Sequence, residues 1–175
     1  MQYKTYKSKI LLTLLAFGVI LWIGGAIARL AIAYDLFLPG TELILKNYYT
    51  DIIRLHTVHL FAMTGLYTGV GFSVCLLIAL IIFFKSKSIL KKQGWLFMAF
   101  VLFFLTVPFE SYMMYLDIRL NMAFWSGKLL SFNDYNITSY FLIRFSKLGI
   151  PSVLSFFAVL TSVVMIIWRP LNKLN

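Results

Sequence analysis

Long uncharged, apolar stretches dominate the chain, and its polar residues fall in short clusters between them. An α-helix needs about 20 apolar residues to cross a bilayer, and four stretches offer that. The first runs from about residue 10 to 34 and holds one charge, Arg29. The second, about 55–84, lies between Arg54 and Lys85 and carries no fixed charge, long enough to tilt or to begin in the interface. The third, about 94–116, contains Pro108 and Glu110. The fourth, about 148–168, has Pro151 in its first turn, where proline is tolerated. The first run is too long for a signal-peptide core and is followed by no clear small-residue cleavage site, so it reads as a mature helix. The expected fold is all-α: an integral membrane four-helix bundle, one transmembrane domain over 1–175. No internal repeat, low-complexity segment or soluble domain interrupts it.

The connecting segments predict an orientation. Lys4, Lys7 and Lys9 precede the first span, Lys85, Lys87, Lys91 and Lys92 join the second to the third, and Arg169 and Lys173 follow the fourth, with no acidic residue among them. The other side mixes Asp35, Glu42, Asp51, Asp117 and Asp134 with Lys46, Arg54, Arg119, Lys128, Arg144 and Lys147. The all-basic side is expected in the cytoplasm, giving N-in and C-in. The outer loops carry more than connectors. Pro39-Gly40 is a turn dipeptide, and residues 138–147 mix aromatics with two cations, as a short interfacial helix does. Tyr48, Tyr49, Trp125, Tyr135 and Tyr140 are expected in an outer aromatic belt, Trp95 and Trp168 in an inner one. Asn136-Ile137-Thr138 matches a glycosylation sequon, a short pattern that arises often by chance.

Composition agrees with the pattern: 61% of residues are hydrophobic and 13% charged. The net charge of +10 would suit nucleic acid, but its cations form clusters between spans rather than one stripe, so no nucleic-acid partner is expected. The partners expected are the lipid bilayer and other membrane subunits or a second copy of the chain, in a bacterial or archaeal inner membrane. The single cysteine, Cys75, lies in an apolar run, where it reads as a small buried hydrophobe. No Ser–His–Asp set, phosphate loop, paired glutamates or HExxH motif equips a hydrolase or nucleotide enzyme.

Few residues remain for chemistry. His56 and His59 are the only histidines. A spacing of three puts them about one turn apart on neighbouring faces of one helix, able to share a metal but not to clamp one haem from both sides. The alternative is a pair of ordinary interfacial histidines. Glu110 is the most unusual residue by position, since an ionised carboxylate in hydrocarbon costs about 2.5 kcal/mol or more. It should face the bundle, and Pro108 beside it frees a backbone carbonyl one turn back. Arg29 is a candidate partner. A structural lock between helices and a proton or ligand path are both open. Gly24, Gly25, Ala26 and Ala28 in the first span, and Gly65, Gly69 and Gly71 in the second, permit close helix approach. Met63 reads as packing.

Gly24-Gly25-Ala26-Ile27-Ala28-Arg29 with Leu38-Pro39-Gly40-Thr41, followed by Tyr48-Tyr49 and Arg54-Leu55-His56-Thr57, resembles the first two helices of the haem–copper oxidase superfamily, which includes cytochrome oxidase subunit I and the large subunit of nitric oxide reductase. The likeness covers about residues 18–72. It implies His56 as an axial ligand of a low-spin haem b near the outer surface, with propionates toward Arg29 and Arg54. A full member has many more helices and histidines, and its second axial histidine lies on a helix that has no counterpart here. Residues 94–175 match nothing in the family. The chain is therefore not expected to be catalytic alone. The leading expectation is a haem-binding subunit of a respiratory-type electron-transfer complex, with the opposite ligand from another chain. Copper on His56 and His59 ranks behind haem, and no cofactor at all is a real alternative. Two other classes stand beside it: a non-redox accessory subunit of a larger membrane complex, and a small transporter or channel subunit using Glu110 and Arg29.

Overall fold

The computed structural model describes residues 6–41, 43–90, 93–127 and 131–169. Lys4, Glu42, Lys91, Lys92, Lys128 and Lys173, which enter the orientation argument, lie outside the described residues. In chain order the elements are α1 (Tyr6–Tyr34), α2 (Asp51–Lys85), α3 (Lys87–Leu90), α4 (Gly94–Trp125), α5 (Tyr135–Ile137), a π-helical turn (Thr138–Leu142), α6 (Ile143–Ser146) and α7 (Gly149–Trp168). Among the described residues there is no strand, only an isolated bridge between Phe37 and Leu45. Helices α1, α2, α4 and α7 are each long and apolar enough to cross a membrane.

One boundary differs from expectation. The third span was expected to stop near residue 116, leaving Asp117 and Arg119 in a loop, but α4 continues to Trp125. The charge at 117 does not end the helix because it is neutralised inside the bundle, and Leu116 and Leu120 keep the same face buried on either side of it. Helix α2 begins where its chemistry favours it. The Thr50 hydroxyl accepts from the Ile53 amide at 3.4 Å, and Asp51 sits in the first turn, at the positive end of the helix dipole. The same Asp51 carboxylate accepts from Ser131 Oγ at 2.9 Å and from the Phe132 amide at 3.2 Å. The loop before α5 is thereby tied to the start of α2.

Small residues decide how α1 meets α2. A Cβ on Gly71 would lie 2.6 Å from the Trp22 amide nitrogen and 2.8 Å from the Gly18 carbonyl, and one on Gly25 would lie 2.6 Å from Thr68 Cγ2. Backbone therefore touches backbone, as small residues allow. Gly24 is different, because a Cβ there meets nothing within 4 Å. Beyond this pair, α2 packs on α4 and α4 on α7, but the row does not close: α1 and α7 barely touch.

The end of the bundle where α1 finishes and α2 starts holds the largest core. Ile137, Phe141 and Arg144 are spaced four and three apart, so the short α5–π–α6 segment turns one face inward. Ile137 and Phe141 are fully buried against Ala33, Val58, Phe61 and Leu120. The segment expected to lie in the interface thus plugs the bundle. Trp95, expected in an aromatic belt, is buried beside Leu90 and Leu96, whereas Trp125, Trp168, Tyr48 and Tyr135 are exposed. In the loop after α1, Asp35 accepts from Lys46 Nζ at 2.8 Å and from Tyr49 Oη at 2.9 Å. The bond from Lys46, then that from Tyr49, holds the Asp35 carboxyl below its usual range, and the same contact raises the Lys46 ammonium.

Two outcomes follow from this packing. Gly71→Ala should destabilise the protein by about 1–3 kcal/mol through overpacking against backbone, while Gly24→Ala should stay within about 0.5 kcal/mol; thermal unfolding in detergent separates them. A depressed Asp35 contributes above its unfolded pKa of about 3.9 and loses that contribution as pH falls through the lower folded value. Proteolysis of the 35–50 loop should therefore be flat from about pH 5 upward and rise only in stronger acid.

Candidate functional site

The centre of the bundle is an ion cluster. The Arg29 guanidinium donates from Nη1 to Asp117 Oδ2 at 2.8 Å and from Nη2 to Oδ1 at 2.5 Å, a bidentate fork. Arg144 reaches in from α6 and donates from Nη1 to both Asp117 oxygens at 2.8 Å. It also donates to the Met113 carbonyl at 3.3 Å. Arg29 and Asp117 are 2% and 4% exposed. Burial, then the Arg29 guanidinium, draws Arg144 down to about 10 against the pull of Asp117, so Arg144 stays protonated at neutral pH.

Helices α2 and α4 add further contacts to the cluster. Phe61 of α2 lays its ring 4.1 Å from the Arg29 guanidinium carbon, a cation–π contact. Thr68 Oγ1 accepts from Arg29 Nη1 at 3.2 Å while donating to the Gly65 carbonyl at 2.8 Å. Gly65 leaves the space for the pair, since a Cβ there would lie 3.0 Å from Arg29 Nη2 and 3.2 Å from Asp117 Cγ. One turn along α4, the Asn121 amide donates to the Ala62 carbonyl at 2.8 Å and to the Asp117 carbonyl at 2.9 Å. Arg29 Nε has no partner among the described residues.

Two turns deeper, the same pair of helices meets again. Trp22 Nε1 donates to Glu110 Oε2 at 3.2 Å. Both contacts join residues 88 apart, the constant offset of two parallel helices in register. Glu110 thus faces α1, where its hydrogen-bond partner is the Trp22 indole and not the candidate Arg29. Arg29 forks onto Asp117, and Glu110 pairs with the Trp22 indole, because Arg29 sits level with 117 rather than 110.

Between α1 and α7, floored by α2 and α4, lies a cavity of about 480 Å³ bordered by Arg29, Glu110, Asp117 and Arg144. Ile27 and Val153, on opposite sides, both border it and are more than half exposed, so they mark its mouth. The histidines lie elsewhere. His56 is exposed on the first turns of α2, and His59 stacks on Phe124 with ring centroids 4.7 Å apart. Arg54 donates from Nη2 to the Lys46 carbonyl at 2.9 Å. None of the three borders the cavity. The described residues contain no group of three or more His, Cys, Asp or Glu side chains that could hold a metal.

Sequence reasoning missed Asp117, Arg144 and Trp22. The available signal was the interval of seven between Glu110 and Asp117, with Asn121 four further on, which places all three on one helical face. Asp117→Asn should cost about 3–5 kcal/mol, because two buried guanidinium groups lose their counter-charge. Glu110→Gln keeps an acceptor for Trp22 and should cost under about 1 kcal/mol. Unfolding of both variants in mixed micelles measures the contrast.

Comparisons with protein-family models, with curated proteins and with solved structures give no match to this chain.

Proposed function

We propose that the protein is a multi-pass protein of a bacterial or archaeal inner membrane, with both ends cytoplasmic, that takes up a small amphiphile sideways from the bilayer. It is a small transporter or binding subunit that uses Arg29 and Glu110. The observation that carries this reading is that Arg29, Glu110, Asp117 and Arg144 border one cavity in a gap that α1 and α7 leave open. Charged groups so deep in an apolar bundle mark a pathway or ligand site more often than a surface does. Apolar walls with a few convergent polar groups are the usual make-up of a small-molecule site. Lipid is the medium, and a second copy or another subunit is the partner that the exposed faces of α1 and α7 can accept.

A second reading keeps the electron-transfer complex, with haem b on His56. Its support is the exposure of His56 near the start of α2, where another chain could bring the opposite ligand. In that case Arg54, two residues away, would stand near the propionates.

The tests separate these readings. Native mass spectrometry of the detergent-purified chain should show a bound small amphiphile, and Val153→Trp, which fills the mouth, should remove it. Bare protein in both samples would overturn the uptake reading. A b-type reduced spectrum, lost in His56→Ala and kept in His59→Ala, would favour the redox reading instead. For orientation, in a Cys75→Ala background, Ile44→Cys should react with an impermeant thiol reagent applied outside and Lys85→Cys should not. The reverse pattern would invert the topology.

A further inference from the structure

We infer that the amphiphile is a prenylated quinone or quinol: a flat ring with oxygens at opposite ends and one long hydrocarbon tail. The inference rests on the lateral-uptake reading and names its ligand.

The walls of the gap change character along its length. The cavity at the ion cluster is lined by Trp22, Phe61, Phe72, Met113, Met114 and Phe156. Aromatic faces and thioethers favour a planar π-system, which stacks on rings and meets sulfur at their edges. A second cavity of about 490 Å³ lies toward the other end; its lining is mostly aliphatic, with Leu12, Leu15, Val19 and Ile166, but includes Trp95, Phe100 and Phe103 and reaches Lys85 and Arg169. Trp22 and Val159 border both cavities, so the two are adjacent, with these two packed side chains between them. A cavity rich in aromatic rings and thioethers beside a mostly aliphatic one fits a ring head and an apolar tail.

The polar atoms select a neutral head. Two cations, Arg29 and Arg144, and two carboxyl groups, Asp117 and Glu110, border the first cavity, with both cations paired to Asp117. A carboxylate or phosphate head would gain the arginines but crowd against both acids. Free hydrogen-bonding capacity remains at two levels. Among the described residues Arg144 donates only from Nη1, leaving Nε and Nη2 without acceptors there, and Glu110 accepts only at Oε2, leaving Oε1 without a donor there. Because Arg144 reaches the Met113 carbonyl, its guanidinium lies about one to two turns above Glu110, on the order of 5–10 Å along α4. A ring with para oxygens, with a hydrogen bond of about 2.8 Å at each end, bridges a separation of that order. Arg144 donates to one ring oxygen, and Glu110 takes up the other as a hydroxyl.

The test uses the full chain in detergent with tritiated decyl-ubiquinol, the quinone kept in its reduced form, as probe, and myristate and dodecyl phosphate as competitors. Binding should be saturable, and neither competitor should displace the probe. Glu110→Leu and Phe72→Leu should each weaken it by about tenfold, the worth of one hydrogen bond or one ring contact. Phe72→Leu touches no charge, so a melting curve like that of the wild type shows that its loss of binding is local. Wild-type affinity in both variants would place the probe elsewhere and overturn the inference. If myristate or dodecyl phosphate binds and the quinone does not, the ring head is wrong while lateral uptake stands. If no probe binds and native mass spectrometry finds no adduct, both readings fall.

Discussion

A carboxylate in hydrocarbon must find its counter-charge within the protein, and the architecture is arranged around that demand at Asp117. Water cannot serve it there, so α1 supplies Arg29 and the short α6 supplies Arg144. The choice fixes other positions in turn. Gly65 must lack a side chain for the pair to fit, Thr68 accepts the second Nη1 proton of Arg29, and Phe61 covers the guanidinium with its ring. Even the plug at the loop end follows, because the face that carries Arg144 down to Asp117 is the face that buries Ile137 and Phe141.

The same constraint explains why the bundle stays open. The glycine contacts clamp α1 to α2, and the ion cluster fastens α1 and α6 to α4. Helix α7 is held mainly by α4, with Ser162 Oγ donating to the Ala99 carbonyl at 3.1 Å. Nothing comparable joins α7 to α1. The gap is thus bounded on one side by a polar seam and on the other by an apolar helix.

Much of the fold was legible in the sequence because a run of about 20 apolar residues has few other stable outcomes in a membrane. Glycine content in the first two spans foretold their close approach, although Gly24, part of that run, turns out to face open space. Glu110 announced itself by its position. The cluster did not, for a physical reason: Asp117 and Arg119 look like the polar end of a span, and Arg144 looks like a headgroup-facing cation in an amphipathic loop. Arg119 is exposed, but the burial of Asp117 and Arg144 depends on contacts between residues 88 and 27 positions apart, which no local pattern carries. The histidines show the converse. His56 and His59 attract notice by rarity, yet one is exposed and the other stacks on a phenylalanine, and the polar chemistry of the cavity is built from arginine and carboxyl groups instead.

The most direct measurement of the role given to Asp117 is a double-mutant cycle on the unfolding of Arg29→Leu, Asp117→Leu and the combined variant in mixed micelles. Removing both partners abolishes the fork together with the desolvation cost of Arg29, so the double variant should be less destabilised than the sum of the singles. The expected coupling is on the order of 2–3 kcal/mol. Strict additivity, with coupling near zero, would show that the two helices do not depend on this pair and would contradict the arrangement described.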